Sequence, residues 1–463
     1  MSKKAELFFN TFIIAIGKMS TQVISVFLLP LYTSILSTQE YGVYDLIVTI
    51  TTFLAPVVTL LMEEAMFRFL IDCKTKQEIK NVISQTFSYI VRSTIIFSVL
   101  IGVVGALCKI PYTGIFIIYL IAVIVMLLMN AITRGLGKIK LYSGANVLLS
   151  LLTILLNVVF IAWIKIGMEG LLWSVIISNI IVSIFLFVRL KVYKFISLKR
   201  VEKSKTMKEM IKYSFPLVPN SLSWTIINLS DRLIVSSVLG TAANGIYSMA
   251  YKFPNYMDTL YSFFYTAWKE SASKALNDEG DARRFYNSIY RTVRNFMYAI
   301  VTGMIACLPF IMPLLIKGDF QEAYIYVPIL IIATYFSNMS SFFGGIFAAY
   351  KNTKIMGKTT IISAVINVIV NIALIKFVGL WAAAISTVVA TFFVYIQRKK
   401  KVRRYVKIRS RVRWLNLIIL GIVLGAYYSQ NMVFQIVMLI LTVIYCVYIN
   451  KKILKDILGK FKH

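Results

Sequence analysis

The sequence is short of the residues on which most enzymes and metalloproteins rely. It has one histidine, His463, at its very end. Histidine-based acyl transfer or general-base work inside an apolar span therefore has no agent. Its four cysteines (Cys73, Cys108, Cys307 and Cys446) show no CxxC spacing. That argues against a disulfide framework or a structural metal site. Acidic residues number 19 against 50 Lys and Arg, for a net charge of +31. Long polar segments are missing too. The largest loops run to roughly 20–25 residues, too short for a soluble catalytic domain. No small-residue cleavage site follows the short charged segment Met1–Glu6, so Leu7–Leu29 reads as a retained first helix.

What the chain does have is apolar sequence in long runs. Hydrophobic residues make up 59%, with a mean hydropathy of +0.78. Soluble domains hold about 45–50%, and a helix that crosses a bilayer needs about 20 mostly apolar residues. Fourteen stretches approach that length: 7–30, 43–66, 82–107, 112–133, 142–165, 170–190, 213–237, 245–267, 292–316, 323–349, 359–377, 379–397, 414–429 and 431–449. Lipid offers the backbone no hydrogen-bond partners, so spans must be helices or closed barrels. Barrel strands alternate in polarity, and Ile117–Met129 does not. The expected fold is all-α and polytopic.

A charge of +31 on a soluble protein would suggest nucleic acid. Here its distribution gives a simpler reading. With the N-terminus inside, only Lys109, Lys165, Lys317 and Lys376 fall in outer loops, and the great bulk of the 50 cations fall on the inner side. This is the positive-inside pattern, and it puts both termini in the cytoplasm. The basic runs 189–212 and 398–413 are expected to lie on anionic lipid headgroups. Nucleic acid is not an expected partner.

An internal repeat organises the chain. Leu36, Thr38, Gly42 and Tyr44 match Leu239, Thr241, Gly245 and Tyr247 at a constant offset of 203. A second echo begins at Asn157 and at Asn371, each leading to a Gly-Leu pair at Gly170 and Gly379. Two parallel six-helix repeats are a transporter architecture. The expected division is an N-terminal lobe at 1–190 and a basic linker at 191–212. A second lobe follows at 213–397, then a basic loop with two appended helices at 398–463.

Polar groups inside lipid are costly and mark cavities or helix contacts. At 100° per residue, Asp45, Thr49, Thr52, Pro56, Thr59 and Glu63 share one face of the second span. Ser248, Lys252, Asn255, Thr259, Ser262 and Thr266 share one face of the eighth, beside Tyr247, Tyr251, Asp258, Tyr261 and Tyr265. The first span carries Thr11, Lys18, Thr21, Gln22 and Ser25, and the seventh Ser214, Ser221, Thr225, Asn228 and Arg232. The simplest common target is a central cavity. Lys18, Arg232 and Lys252 would hold a phosphate or pyrophosphate there by charge-assisted bonds, with Gln22, Asn228 and Asn255 as further polar lining. Two readings stand for Arg232, as a cavity cation or as a cross-helix bridge to Asp45 or Asp258. Lys252 is a cavity cation or snorkels outward. Tyr251 and Tyr261 either stack on sugar rings or belong to an interfacial belt. Asp45, Glu63 and Asp258 are placed either to couple a proton or sodium ion or to pair with cations.

Four segments together resemble the multidrug/oligosaccharidyl-lipid/polysaccharide exporter superfamily, and within it the polysaccharide repeat-unit flippases of O-antigen or capsule type. They are NTFIIAIGKMSTQVISVFLLPLYTSILSTQEYGVYDL (10–46), FRFL (67–70), DRLIVSSVLGTAANGIYSMAYKF (231–253) and NVIVNIALIKFVGLWAAAIST (367–387). The resemblance implies two six-helix lobes that alternate access, and a non-enzymatic transporter in a bacterial cytoplasmic membrane. Its implied substrate is a polyprenyl-pyrophosphate-linked oligosaccharide, flipped outward. It implies no cofactor beyond a proton or sodium gradient, and working partners among the pathway's glycosyltransferases and glycan polymerase. Arg68 fits the family's second-helix arginine, beside Lys18, Arg232 and Lys252. Alternatives are a drug/cation antiporter or lipid II flippase of the same superfamily, and a membrane glycan-modifying enzyme.

Overall fold

The computed structural model describes residues 26–196, 205–275, 282–408 and 414–460. These form helices and their connections, with no strand among the described residues. The chain divides into two compact units, Met1–Leu229 and Ser230–His463. The division falls inside one helix rather than in a linker.

The first unit opens with α1 (Leu29–Ile35), α2 (Thr38–Thr59), α3 (Met62–Asp72), α4 (Lys76–Leu107) and α5 (Thr113–Gly135). α6 (Ile139–Asn157), α7 (Gly167–Arg189), α8 (Lys205–Ser214) and the start of α9 (Leu217–Leu239) complete it. Starts are set locally. At α2 the Ser37 hydroxyl accepts from the Glu40 N–H at 3.2 Å, while the Glu40 carboxylate accepts from the Ser37 N–H at 2.9 Å. Thr75 and Glu78 repeat this reciprocal cap on α4. Each cap satisfies amides that a helix start leaves orphaned.

The expected span 43–66 is in fact broken. Leu60 and Leu61 both adopt left-handed backbone (φ 49° and 53°), separating α2 from α3. Pro56 lies one turn earlier, where its missing N–H weakens the ladder. The freed groups find side-chain partners: the Thr59 hydroxyl accepts from the Leu61 N–H at 3.2 Å, and the Ser93 hydroxyl donates to the Val58 carbonyl. Such re-satisfaction lets a break persist at membrane depth. The expected linker also carries structure, since the amphipathic α8 packs on α3 and buries Met210 completely.

The second unit holds the rest of α9, then α10 (Thr241–Ala250), α11 (Lys252–Lys274), α12 (Ala282–Leu315), α13 (Val327–Ala349) and α14 (Lys354–Val378). α15 (Trp381–Val402), α16 (Trp414–Ser429) and α17 (Met432–Lys460) follow. The expected span 245–267 is divided at Tyr251, three residues before Pro254. At 34 residues α12 is about 51 Å long, well beyond a hydrocarbon core of about 30 Å.

This unit's core is aromatic. Trp268 is stacked on Phe342 with centroids 4.3 Å apart, and its indole N–H donates to the Phe342 carbonyl at 2.9 Å. Arg398 corrects an expectation. It begins the basic run thought to lie on headgroups, yet it has no exposed surface. Its guanidinium donates to the Thr359 hydroxyl at 3.0 Å, the Thr360 hydroxyl at 2.9 Å, and the Ser340 and Met356 carbonyls at 3.3 Å. One side chain thereby ties α13, α14 and α15 together.

Among the described residues, ten helices are long and apolar enough to cross a membrane, and the shorter α16 is also apolar. The molecule is a multi-pass membrane protein. α9 and α11 fall outside that set because polar residues dilute them, and α10 because it is only 10 residues long. α9 and α10 supply Asp231 and Tyr247 to the second unit's buried polar cluster.

Candidate functional site

The second unit gathers buried polar side chains around one carboxylate. Asp231, on α9, is 1% exposed. Its Oδ1 accepts from the Asn371 amide of α14 at 2.8 Å. Its Oδ2 accepts from the Thr387 hydroxyl of α15 at 2.9 Å and from the Tyr247 hydroxyl of α10 at 3.1 Å. Thr387 also stands 2.8 Å from the Ala383 carbonyl. A hydroxyl has one hydrogen, so Asp231 and Ala383 compete for it. A second layer surrounds the first. The Asn367 amide lies 3.3 Å from the Ser386 hydroxyl and 3.4 Å from that of Thr387, and the Ser230 hydroxyl donates to its carbonyl oxygen at 3.4 Å.

These groups converge for local reasons. Asn367 and Asn371 are one helical turn apart and share a face. Ser386 and Thr387 lie in the first turns of α15, beyond the tight turn that Gly379 makes at φ 59°. Helix α10 begins immediately after Gly240, whose φ of 92° suits only glycine. That reversal returns Tyr247 to α9. A buried carboxylate without partners would cost several kcal/mol or take up a proton. Three donors instead hold it in a polar nest.

Arg232 extends the cluster. It is 7% exposed, with its guanidinium carbon 5.5 Å from the Tyr251 ring centroid and 6.0 Å from that of Tyr247. Cation–π attraction operates at such distances. The two rings are 5.7 Å apart, so a cation, two phenols and a carboxylate adjoin one another within this unit.

The first unit contains a faint copy. Helices α2 and α10 start 203 residues apart, at Thr38 and Thr241, matching the sequence repeat. Asn157, at the end of α6, donates to the Tyr32 hydroxyl of α1 at 2.8 Å, as Asn371 donates to Asp231. Both asparagines are buried, and both keep an amide oxygen with no hydrogen-bond partner. The difference is chemical: a phenol stands in the first unit where a carboxylate stands in the second.

The residues singled out from sequence occupy different settings within their own units. Lys18 and Gln22 lie outside the described residues. Asn228 and Asn255 are exposed, and Lys252 and Tyr251 are half-buried at the α10–α11 break. Asp258 is half-buried and faces Asn338. Tyr261 is 4% exposed, its hydroxyl without a hydrogen-bond partner. Asp45 is half-buried on α2. Glu63, 5% exposed, opens α3 just after the break, with one carboxylate oxygen lacking a hydrogen bond. Arg68 is exposed and bound to Asp72 at 2.6 Å, one turn along the same helix.

Sequence reasoning did not single out Asp231, the hub of this cluster. The available signal was the pair Asn367 and Asn371, one turn apart within the apolar stretch 364–375.

Comparison with known proteins agrees with this architecture. A family model described as "Polysaccharide biosynthesis protein" matches residues 7–268. A structure of the lipid II flippase MurJ, in an inward closed conformation, aligns at TM-score 0.71 and 15% identity. It covers 96% of this chain and 100% of that one. An inward-facing multidrug resistance MATE family transporter of the MOP superfamily aligns at TM-score 0.67 and 15% identity, covering 84% and 98%. A MOP superfamily transporter from Pyrococcus furiosus, described as having a binding pocket of reverse polarity, aligns at 0.57 and 15%, covering 85% and 94%. At these identities the likeness establishes a MOP-type transporter fold. No match was found among curated proteins.

Proposed function

Because the chain belongs to the polysaccharide biosynthesis protein family, we propose that it is a flippase for polyprenyl-pyrophosphate-linked oligosaccharide repeat units. It moves them from the cytoplasmic to the outer leaflet of a bacterial cytoplasmic membrane by alternating access, with both termini in the cytoplasm. Glycosyltransferases that build the repeat unit and a polymerase that consumes it are its natural partners.

The observation that carries this reading is the Asp231 cluster. A structural helix contact has little need of a carboxylate, because burying one is expensive. A carrier driven by an ion gradient needs such a group. It must be shielded from bulk water and able to exchange hydrogen-bond donors for a cation. Asp231 contacts the Thr387 and Tyr247 hydroxyls and the amide nitrogen of Asn371, whose amide oxygen has no hydrogen-bond partner. Oxygen-only sets suit hard cations. Turning the Asn371 amide about its last bond would replace a donor by an acceptor beside Asp231. The same cluster would then serve the empty and the ion-loaded carrier. We assign proton or sodium coupling to Asp231, with Asp45, Glu63 and Asp258 as secondary acids. Substrate phosphates are assigned to Lys18, Arg232 and Lys252, which offer the charge-assisted donors a pyrophosphate requires.

The test is flipping in proteoliposomes that carry a fluorescent polyprenyl-pyrophosphate oligosaccharide, read by quenching the exposed leaflet. The intact protein is expected to flip faster under an imposed sodium or proton gradient. Asp231→Asn should abolish the gradient response, and Lys18→Ala should slow flipping tenfold or more with normal membrane insertion. Gradient-driven efflux of a cationic dye, with no movement of lipid-linked sugar, would overturn the assignment.

A further inference from the structure

Away from Asp231, the second unit contains a cavity of about 430 Å³, within the range of ligand sites. It lies among α12, α13, α15 and α16, and its lining includes Arg294 and Lys399 but no carboxylate. The Tyr290 and Tyr395 hydroxyls are 3.0 Å apart. Each ring carries a cation from one turn further along its own helix. The Arg294 guanidinium carbon lies 5.9 Å from the Tyr290 ring centroid, and the Lys399 ammonium 5.5 Å from that of Tyr395.

Helix geometry explains why these charges converge. Side chains lean toward the start of their helix and over the residue four positions before. By the charge pattern of their flanking loops, α12 leaves the basic side of the membrane and α15 returns to it. Arg294 and Lys399 therefore lean toward each other's level, onto the joined tyrosines. Asn416, in the first turn of α16, lines the same cavity. Apart from the phenols Tyr298 and Tyr335, the rest of the lining is apolar, including Phe336 and Leu420. Two further lining residues, Phe392 (45% exposed) and Leu417 (50% exposed), face outward. The cavity thus opens sideways, between apolar side chains, toward lipid.

We propose that this cavity binds one anionic glycerophospholipid from the leaflet at the basic side. The phosphate sits between Arg294 and Lys399, and an acyl chain lies along Phe336 and Leu420. The chemistry matches at both ends: a paired cationic site at interface depth and an apolar body with a lateral mouth. Basic pockets between membrane helices hold anionic headgroups in this way. The bound lipid would brace the appended pair α16–α17 against α12, continuing contacts the protein makes itself. The Tyr298 hydroxyl donates to the Asn416 carbonyl at 2.8 Å, and the Tyr445 hydroxyl to the Asn416 side chain at 2.7 Å.

Native mass spectrometry of the full chain in mild detergent tests the proposal, with phosphatidylglycerol and phosphatidylcholine titrated in parallel. The protein should retain one phosphatidylglycerol in preference to phosphatidylcholine. R294Q/K399Q should lower that retention about thirtyfold, from two lost cation–headgroup contacts. L420W leaves both cations and fills the tail slot; it should lower retention as well, and it decides the matter if the double variant does not fold. Equal retention of phosphatidylcholine would overturn the proposal, as would full retention by both variants. Displacement by inorganic phosphate alone would reduce the site to a bare anion site. Displacement by equimolar polyprenyl phosphate would assign the cavity to the transport substrate, and either displacement sinks the phospholipid reading. The flipping assay does not enter these readouts, so failure here leaves the flippase assignment standing.

Discussion

The Asp231 nest can be dissected by removing its donors one at a time. Tyr247→Phe deletes one oxygen from a fully buried ring and disturbs little else. The bond it removes is 3.1 Å long, outside the 2.5–2.7 Å expected of a strong O–H···O⁻ contact. A side-chain hydrogen bond in a membrane protein averages about 0.6 kcal/mol, and one to a charged group about 1.5–3 kcal/mol. A long bond to a carboxylate falls between, at about 1 kcal/mol, or about a fivefold shift in the unfolding equilibrium. Asn371→Ala removes a 2.8 Å amide donor and leaves Oδ1 without that partner. With the cavity added, its expected cost is about 2–3 kcal/mol. Thr387→Val keeps the shape and loses a hydroxyl shared with Ala383, placing it between the two. The assay is unfolding in detergent for each single variant and for each combined with Asp231→Asn. If the donors act through the carboxylate, coupling energies should approach the single-variant costs, because Asp231→Asn has already removed the charge they serve. Strict additivity of Tyr247→Phe and Asp231→Asn, within about 0.3 kcal/mol, would refute the idea that this tyrosine exists to hold the carboxylate.

Two further outcomes follow from packing in the second unit. Arg398→Lys keeps the charge but cannot reproduce a planar fork spread over three helices; it should cost about 2–4 kcal/mol, read as a lower denaturation midpoint. Gly345→Ala would place a Cβ 2.5 Å from the Trp268 indole nitrogen. The tryptophan must shift off Phe342, costing about 1–3 kcal/mol and moving its fluorescence; unchanged emission and stability would disprove that contact.

Much of the fold was legible from sequence. Length and hydropathy alone dictate helices in lipid, because an apolar segment there must satisfy its own backbone. The repeat was legible to the residue, since helix starts at Thr38 and Thr241 keep the 203-residue offset of the sequence match. The breaks at Leu60–Leu61 and Tyr251 were not. Pro56 and Pro254 warn of weakness nearby, but whether a span bends or breaks depends on partners such as Ser93, which belongs to another helix. Reading charge runs also misjudged Arg398: a basic run gives no sign that its first member turns inward onto neighbouring helices.

The sequence by itself determined that this chain lives in a membrane and that it is helical. Those properties follow from local composition and spacing, and each residue contributes almost independently of the fold. The tertiary structure alone decided which acid matters. Asp231 meets Asn371 across 140 residues and Thr387 across 156. A buried carboxylate is defined by its partners, and partners on separate helices become neighbours only once those helices pack.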